Sequence, residues 1–241
     1  ARDIVCRSNL RQWGVIWNLY TNDYDGKWSY WKAPPGDWWH RGHWIRPMRT
    51  YIEAEREAML LCPSASKESP DGDLNRGGRT YAFWMDGPPE EREMGSYGFN
   101  NWLANSGSDT GFLQQRSYRE LWQTIDRVKS PSQVPMMLDA AWRGGAPDWT
   151  NFGGQAIQPW PGDPDEPSVR HAIYIGDDGV HEMMHFALGR HNWDDNAVFV
   201  DNSVSSVPLK KLWRLRWSED FEPRGWQPEW VDAWGSHLPE E

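Results

Sequence analysis

One short segment of this sequence has the residue types and spacing of a zinc hydrolase. His181, Glu182 and His185 match the pattern H-E-x-x-H, and His191 follows closely as a candidate third ligand. On a helix, His181 and His185 would share one face and could bind zinc, while Glu182 could activate a zinc-bound water. The pattern therefore raises the hypothesis of a zinc metalloprotease.

The sequence around the motif argues against this hypothesis. In the extended metzincin-like motif a glycine lies three residues after the second histidine, but Leu188 stands there and Gly189 comes one place late. The flanking glycines leave only nine residues for a helix. Met184, Phe186 and Leu188 also follow a period of two, which predicts a strand in which the two histidines lie ~13 Å apart. We therefore expect a strand at 182–188 and no catalysis through this motif.

Acidic side chains near predicted turns offer a second kind of site, because carboxylate oxygens are the ligands that calcium prefers. The candidate calcium ligands are Asp177, Asp178, Asp194, Asp195 and Asp201. The spacing of an EF-hand is absent, and acidic residues in loops are usually solvated. We expect no obligatory cofactor, and calcium stays a hypothesis.

The segment 190–217 predicts the elements that would position these residues. Residues 197–200 are an apolar strand, and Asp201-Asn202 form a turn because both side chains can bond the local backbone. The apolar pattern resumes up to residue 207. Apolar side chains at 209–217 then follow the spacing of a buried helical stripe. We expect strand, tight turn, strand and amphipathic helix.

The N-terminal residues predict the longest helix. From Cys6 to Tyr20, apolar side chains recur at steps of three and four, which is typical of an amphipathic helix over residues 1–24. Such a helix must cover its apolar face, and an antiparallel sheet is the obvious partner.

These elements predict one α+β domain over residues 1–241, with the helix packed on an antiparallel β-sheet. The sheet region is 136–207, with strands expected at 136–142, 182–188 and 197–207. Irregular, aromatic-rich loops are expected at 27–47 and 148–167, and a C-terminal helix and tail at 208–241.

Composition excludes several classes of partner. The 241 residues fit one large domain, and the net charge of -10 argues against binding nucleic acid or an anionic membrane surface. The sequence has neither a signal peptide nor a run of about 20 apolar residues.

Four short motifs, in chain order, resemble those of a bacterial prepilin-type family. Residues 6–12 (CRSNLRQ) resemble its C-x-S-N-L-R-Q segment, Cys62-Pro63 its Cys-Pro element, and residues 96–100 (SYGFN) its S-Y-G-x-N element. His191 and Asp201 resemble its His-x9-Asp-Gly signature. Asn202 replaces the glycine, which is a mild change because asparagine also tolerates a positive φ.

The family comprises type IV pilin-like and type II secretion pseudopilin-like proteins of planctomycete-type genomes. The resemblance implies a pilin-like fold and a non-catalytic function as a subunit of an exported pseudopilus, pilus or other surface filament. Its partners would be copies of itself or other pilin-like subunits. It also implies a hydrophobic half-helix before Ala1, the segment through which such a protein meets the membrane.

The resemblance assigns roles to the signature pair and to the two cysteines. His191 and Asp201 would form a charge-assisted hydrogen bond between a loop and a turn. From the residues alone, Cys6 and Cys62 could be a disulfide, free thiols or metal ligands, although the lack of a CxxC pair argues against a structural zinc site. Export favours the disulfide, worth about 4 kcal/mol on a chain-entropy model.

Nineteen tryptophans leave a second function open. Large aromatic rings most often serve in packing, where each buries about 150–250 Å². If several were exposed, they could instead grip polysaccharide at the cell surface. A polysaccharide-binding module is therefore the alternative to the structural subunit, with the zinc metalloprotease in third place.

Overall fold

The computed structural model describes residues 1–29, 44–52, 56–68, 81–87, 90, 92–105, 118–147, 182–186 and 188–223. The loop predicted at 148–167 lies outside them, as do residues 30–43 of the loop predicted at 27–47 and residues 224–241 of the tail.

The predicted N-terminal helix is confirmed as helix α1, Arg2–Asp23. One face is buried and carries Leu10, Trp13 and Trp17, all inaccessible to solvent. The helix ends where Asp25 and Gly26 adopt positive φ angles of 53° and 76°. Such a turn is typical of a helix C-terminus. Two short helices follow, α2 at Ile45–Met48 and α3 at Arg56–Leu60.

Seven short strands form two sheets in the described part of the chain. Strands β1 (Trp84–Asp86) and β2 (Glu93–Gly95) make a two-stranded ribbon. The main sheet contains β3 (Tyr97–Asn100), β4 (Pro135–Asp139), β5 (Gly144–Gly145), β6 (Asp194–Phe199) and β7 (Val204–Pro208). Its strand order is β5-β3-β4-β6-β7. The pairs are antiparallel except β3–β5, so the sheet is mixed.

Helix α1 packs on one face of this sheet. The ring of Trp17 stacks on Phe99 with centroids 4.2 Å apart, and its indole N–H donates to Met137 Sδ at 3.2 Å. Further along, α1 crosses β6 so closely that a Cβ at Gly14 would lie 3.0 Å from Val198. These contacts span β3, β4 and β6, so one helix covers the centre of the sheet.

Short segments without regular strands cover the opposite face. Phe186 approaches Gly98, where a Cβ would lie 3.0 Å from the Phe186 ring. Trp217 packs on Phe186 with ring centroids 4.9 Å apart. The architecture is therefore α+β in three layers: helix, sheet and a layer of 3₁₀ turns.

The strand predicted at 182–188 is wrong, because Glu182–His185 is a 3₁₀-helix. Its polar side chains bond the backbone at the sheet edge: Glu182 accepts from Ala146 N–H, and His185 Nδ1 lies 2.7 Å from the carbonyl of Gly144. Phe186 and Leu188 are both buried, but their N–H groups donate to the carbonyls of Met183 and Phe186 in tight turns, not to a neighbouring strand.

The predicted hairpin after residue 190 is confirmed, but the predicted C-terminal helix is not. Asn202 turns the chain between β6 and β7 with a φ of 64°. Residues 209–214 then form a 3₁₀-helix that stops before Trp217. The carbonyl of Trp217 accepts hydrogen bonds from Asn100 and from the Trp122 indole, so the chain extends there to reach β3.

The tryptophans of the described residues serve in packing. Nine of them are among the largest fully buried side chains, and the other two, Trp142 and Trp193, are partly buried. This part of the chain therefore offers no exposed tryptophan to a polysaccharide.

The close crossing of α1 and β6 predicts that Gly14→Val destabilises the protein. The new side chain would collide with Val198 and with Asn202 Oδ1, which lies 2.6 Å from the Cβ position. Overpacking of this kind costs about 1–3 kcal/mol, whereas removing a helix glycine normally stabilises. We expect urea unfolding to give a lower free energy of unfolding for Gly14→Val. Ser8→Ala, at an exposed position of the same helix, is the control and should be neutral; an unchanged Gly14→Val would contradict the packing described.

Candidate functional site

Two cysteines, an aspartate and a histidine meet between α1 and the sheet. The ligand atoms of Cys6, Cys62, Asp139 and His191 all lie within 4.8 Å of one another. We call these four residues the Cys-Asp-His cluster. Cys6, Cys62 and Asp139 are inaccessible to solvent, and the side chain of His191 is 4% exposed. The chain therefore places four polar side chains, each with an atom that can bind a metal ion, in its core.

Each member is positioned by a different element. Cys6 lies on the buried face of α1, and Asp139 is the last residue of β4, directly opposite Tyr97 of β3. Cys62 follows α3, where its N–H donates to Ser96 Oγ. His191 lies in the tight turn that precedes β6. The cluster thus exists only when helix, sheet and both connections are in place.

Short contacts link the four side chains to one another. The Cys6 thiol donates to Asp139 Oδ2 at 3.3 Å, and Cys62 Sγ lies 3.4 Å from His191 Nε2. His191 Nε2 is also 3.2 Å from Asp139 Oδ2. Tyr97 completes the group, since its hydroxyl donates to Cys6 Sγ at 3.5 Å.

A buried arginine balances the charge of Asp139. The guanidinium of Arg190 lies 3.4 Å from Asp139 Oδ1 and is 0% exposed. It also donates to the carbonyls of Ala82 at 3.0 Å and Ala140 at 2.9 Å. The main-chain N–H of Asn196 donates to Asp139 Oδ2 at 3.3 Å. Both buried charges therefore have hydrogen-bond partners, as burial of a charge requires.

The contacts shift the pKa values of the cluster. Hydrogen bonding with the Cys6 thiol lowers the pKa of Cys62 to about 7 against the effect of burial. Burial lowers the pKa of His191, but hydrogen bonds to Asp139 and Cys62 outweigh it and raise the pKa to about 10. Burial raises the pKa of Asp139, but His191 and Arg190 outweigh it, so the net pKa is lowered. The charged forms of Asp139 and His191 are thus favoured together.

This arrangement can hold buried charges, bind a metal ion or form a disulfide bond between Cys6 and Cys62. It is closed to a substrate. A thiolate beside an imidazole is the pairing of a cysteine nucleophile. Cys62 is fully buried, however, so no substrate carbonyl can reach its sulfur in this conformation. The thiolate, imidazole and carboxylate donors are those that zinc accepts.

The residues of the predicted protease motif do not meet at one site. His181 lies outside the described residues, while Glu182 and His185 bind the backbone of residues 144–146. His191 belongs to the Cys-Asp-His cluster. Among the described residues, two of the predicted zinc ligands, His185 and His191, therefore lie at different places in the fold.

His191 and Asp201, the predicted signature pair, lie apart in the structure. The expected hydrogen bond between them is therefore wrong. His191 precedes β6 and Asp201 follows it, so the two lie at opposite ends of a six-residue strand. Asp201 Oδ1 instead accepts from the N–H and hydroxyl of Ser203. The acidic partner of His191 is Asp139.

The candidate calcium ligands do not converge among the described residues. Asp177 and Asp178 lie outside them. Asp194 accepts from the Ser206 hydroxyl at 2.8 Å, Asp195 is fully buried, and Asp201 lies in the turn at the far end of β6.

The expected disulfide is not formed in the structure, where Cys6 and Cys62 are both free and buried. Each sulfur atom has a polar partner, Asp139 for Cys6 and His191 for Cys62. Their sulfur atoms are nevertheless within 4.8 Å of each other.

Sequence reasoning missed Asp139 and Arg190 as members of the site. Asp139 is a single acid within the apolar run PMMLDAAW. A charge in a buried strand must be paired, so that residue alone signals a cationic partner elsewhere in the chain. Its partner Arg190 is 51 residues away, beyond the reach of local patterns.

Comparisons with known proteins leave the cluster to be interpreted from its own geometry. No protein-family model, curated protein or solved structure matches the chain.

The ion pairs of Asp139 predict a large loss of stability in Asp139→Asn. This change leaves the buried guanidinium of Arg190 without its carboxylate, and breaking a buried ion pair costs about 3–5 kcal/mol. Because the pKa of Asp139 is lowered, its stabilising contribution is present above the usual carboxyl range and is lost as the pH falls. Urea unfolding at pH 7 should show the deficit, and the deficit should shrink in acid. A variant as stable as the parent at pH 7 would disprove the pairing.

Substitution of Asp195 by asparagine is predicted to stabilise the protein, in contrast to Asp139→Asn. Asp195 is fully buried, and neither carboxylate oxygen has a hydrogen-bond partner within the described chain. Burial, with the nearby charge of Asp139, raises its pKa well above the usual value. Stability is then full below the unfolded pKa of about 3.9 and is lost as the pH rises. Asp195→Asn should therefore be more stable than the parent at pH 8, with a smaller difference at pH 4, as measured by thermal melting; a lower melting temperature at pH 8 would refute this.

Proposed function

We propose that this chain is a non-catalytic structural subunit of an exported pilin-like assembly, a pseudopilus, pilus or other surface filament. The observation that carries the proposal is an aliphatic stripe on the solvent face of α1. The α+β layering, with an N-terminal helix across a sheet, is compatible with the pilin-like fold that the sequence motifs resemble.

The stripe consists of four exposed aliphatic residues on one helix. Ile4, Val5, Val15 and Leu19 are 65%, 46%, 52% and 51% exposed. Eleven residues make about three turns of an α-helix, so Ile4 and Val15 lie on the same face, with Leu19 one turn further. The opposite face is already packed on the sheet. The exposed face is therefore free to receive a second helix.

A second copy of α1 is the occupant that fits this stripe. Its apolar residues form two pairs, one towards each end of the exposed face, on which a second helix can pack through its side-chain ridges. Polar residues Ser8, Arg11 and Gln12 are exposed on the same face between the two pairs. A staggered contact, in which Ile4 and Val5 of one copy meet Val15 and Leu19 of the next, is heterologous and would repeat along a filament.

The closed Cys-Asp-His cluster supports a structural role over a catalytic one. Its cysteine and aspartate side chains are fully buried, and its contacts hold α1 to β4 and to the turn before β6. None of the helices among the described residues has both the length and the apolar character needed to cross a membrane.

The stripe predicts that Leu19→Glu weakens self-association. Burying a leucine side chain contributes about 1.5–3 kcal/mol, so losing it should raise the dissociation constant by about tenfold or more. Sedimentation velocity over a range of concentrations measures the constant. Electron microscopy of the parent chain at high concentration should show thread-like assemblies that Leu19→Glu lacks.

Met94→Glu provides the matched control. Met94 is also an exposed apolar residue, but it lies on β2 and not on α1. The Met94→Glu variant should self-associate like the parent chain. A parent chain that stays monomeric at every concentration would count against the proposal, as would equal weakening by the two substitutions.

A further inference from the structure

We propose that Cys6, Cys62, Asp139 and His191 bind one zinc ion in a closed tetrahedral site that ties α1 to the sheet. The inference is independent of filament assembly, because it concerns the interior of a single chain. It also departs from the expectation that the lack of a CxxC pair argues against structural zinc.

Three of the six distances between the ligand atoms are close to those of a tetrahedral zinc site, and all six are within 4.8 Å. Zinc bonds of about 2.0–2.3 Å place neighbouring ligand atoms roughly 3.3–3.8 Å apart. Cys6 Sγ to Asp139 Oδ2 is 3.3 Å, Cys62 Sγ to His191 Nε2 is 3.4 Å, and His191 Nε2 to Asp139 Oδ2 is 3.2 Å. The same four atoms can therefore surround an ion with small shifts of their side chains.

The donor set selects zinc over calcium or magnesium. Two thiolates, an imidazole and a single carboxylate are soft or borderline ligands, whereas calcium and magnesium require mostly oxygen. Four protein ligands fill all positions of a tetrahedron and leave none for water or substrate. The site therefore has the character of a structural zinc site.

The charges around the site suit a divalent ion. Zinc with two thiolates, one carboxylate and a neutral imidazole carries one net negative charge. The buried guanidinium of Arg190, 3.4 Å from Asp139 Oδ1, cancels that charge.

A carboxylate on the outer side of His191 adds an independent argument. Zinc-binding histidines usually direct their second ring nitrogen at a carboxylate, which fixes the ring orientation. His191 Nδ1 faces Asp3 Oδ1 at 3.7 Å, and Asp3 is itself held by the Asn196 amide at 2.9 Å. Asp3 is thus a positioning residue that leaves Nε2 directed into the site.

Cobalt is the probe that tests the site directly. The full chain, reduced and freed of metal by a chelator, is titrated with Co²⁺ and then with Zn²⁺. We expect one equivalent of Co²⁺ to produce the visible bands of tetrahedral cobalt and a near-ultraviolet thiolate band, and Zn²⁺ to displace both. Two free thiols should be counted in the denatured chain. A reduced parent chain without these bands overturns the proposal, and so does a freshly isolated chain with a Cys6–Cys62 disulfide and no zinc.

Matched variants separate this site from the H-E-x-x-H motif. Cys62→Ser should abolish or strongly weaken the thiolate band, whereas His185→Gln should leave both bands unchanged. The reverse result would assign the metal to the other motif and overturn the proposal. Circular dichroism confirms that each variant is folded.

Asp3→Asn provides a test that does not disturb the core, because the Asp3 side chain is 38% exposed. Loss of a carboxylate behind a zinc-binding histidine weakens metal affinity by about 10–100-fold. Asp25→Asn, at an exposed turn, should keep the affinity of the parent chain. Equal cobalt affinity in both variants would remove Asp3 from the positioning role.

Discussion

The carboxylate of Asp139 is the constraint on which the rest of this structure depends. An unpaired charge in a protein core is prohibitively unfavourable, so everything around Asp139 must supply a cation or a donor. Arg190 supplies the cation, while Cys6, Asn196 and His191 supply the close polar contacts. These groups come from α1, from β6 and from the connection before it. One buried acid thereby fixes where the first helix and the last hairpin meet.

Aromatic packing compensates for the shortness of the strands. The strands of the main sheet contain two to six residues, so their ladders alone provide few hydrogen bonds. Buried indole groups add long-range links to the backbone: Trp13 to the carbonyl of Met59, Trp84 to that of Tyr97, and Trp102 to that of Pro147. Each such ring both fills volume and satisfies a main-chain carbonyl. Tryptophan side chains therefore add long-range links to those of the short ladders.

Local patterns in the sequence predict the elements that carry their own signal. The N-terminal helix repeats its apolar spacing over about four turns, and the β6–β7 hairpin combines apolar strands with the turn residues Asp201-Asn202. Alternation at 182–188 is too short to separate a strand from a 3₁₀ turn, and the side chains of Glu182 and His185 decide the outcome through contacts elsewhere. The Cys-Asp-His cluster is invisible to such patterns because Cys6 and Asp139 are 133 residues apart. The predicted pairing of His191 with Asp201 is wrong because it rests on the family signature, whereas the carboxylate that reaches His191 Nε2 comes from Asp139 of β4.

The docking of α1 on β6 joins two elements that are far apart along the chain. β6 starts 171 residues after the end of α1. At translation rates of about 5–20 residues per second, the nascent helix waits on the order of ten seconds or more for its partner strand. During that interval β3 and β4 can cover Trp17, but the surface of α1 around Gly14 lacks Val198 of β6. The nascent polypeptide therefore completes the packing of α1 only after the hairpin that contains β6 has been synthesised.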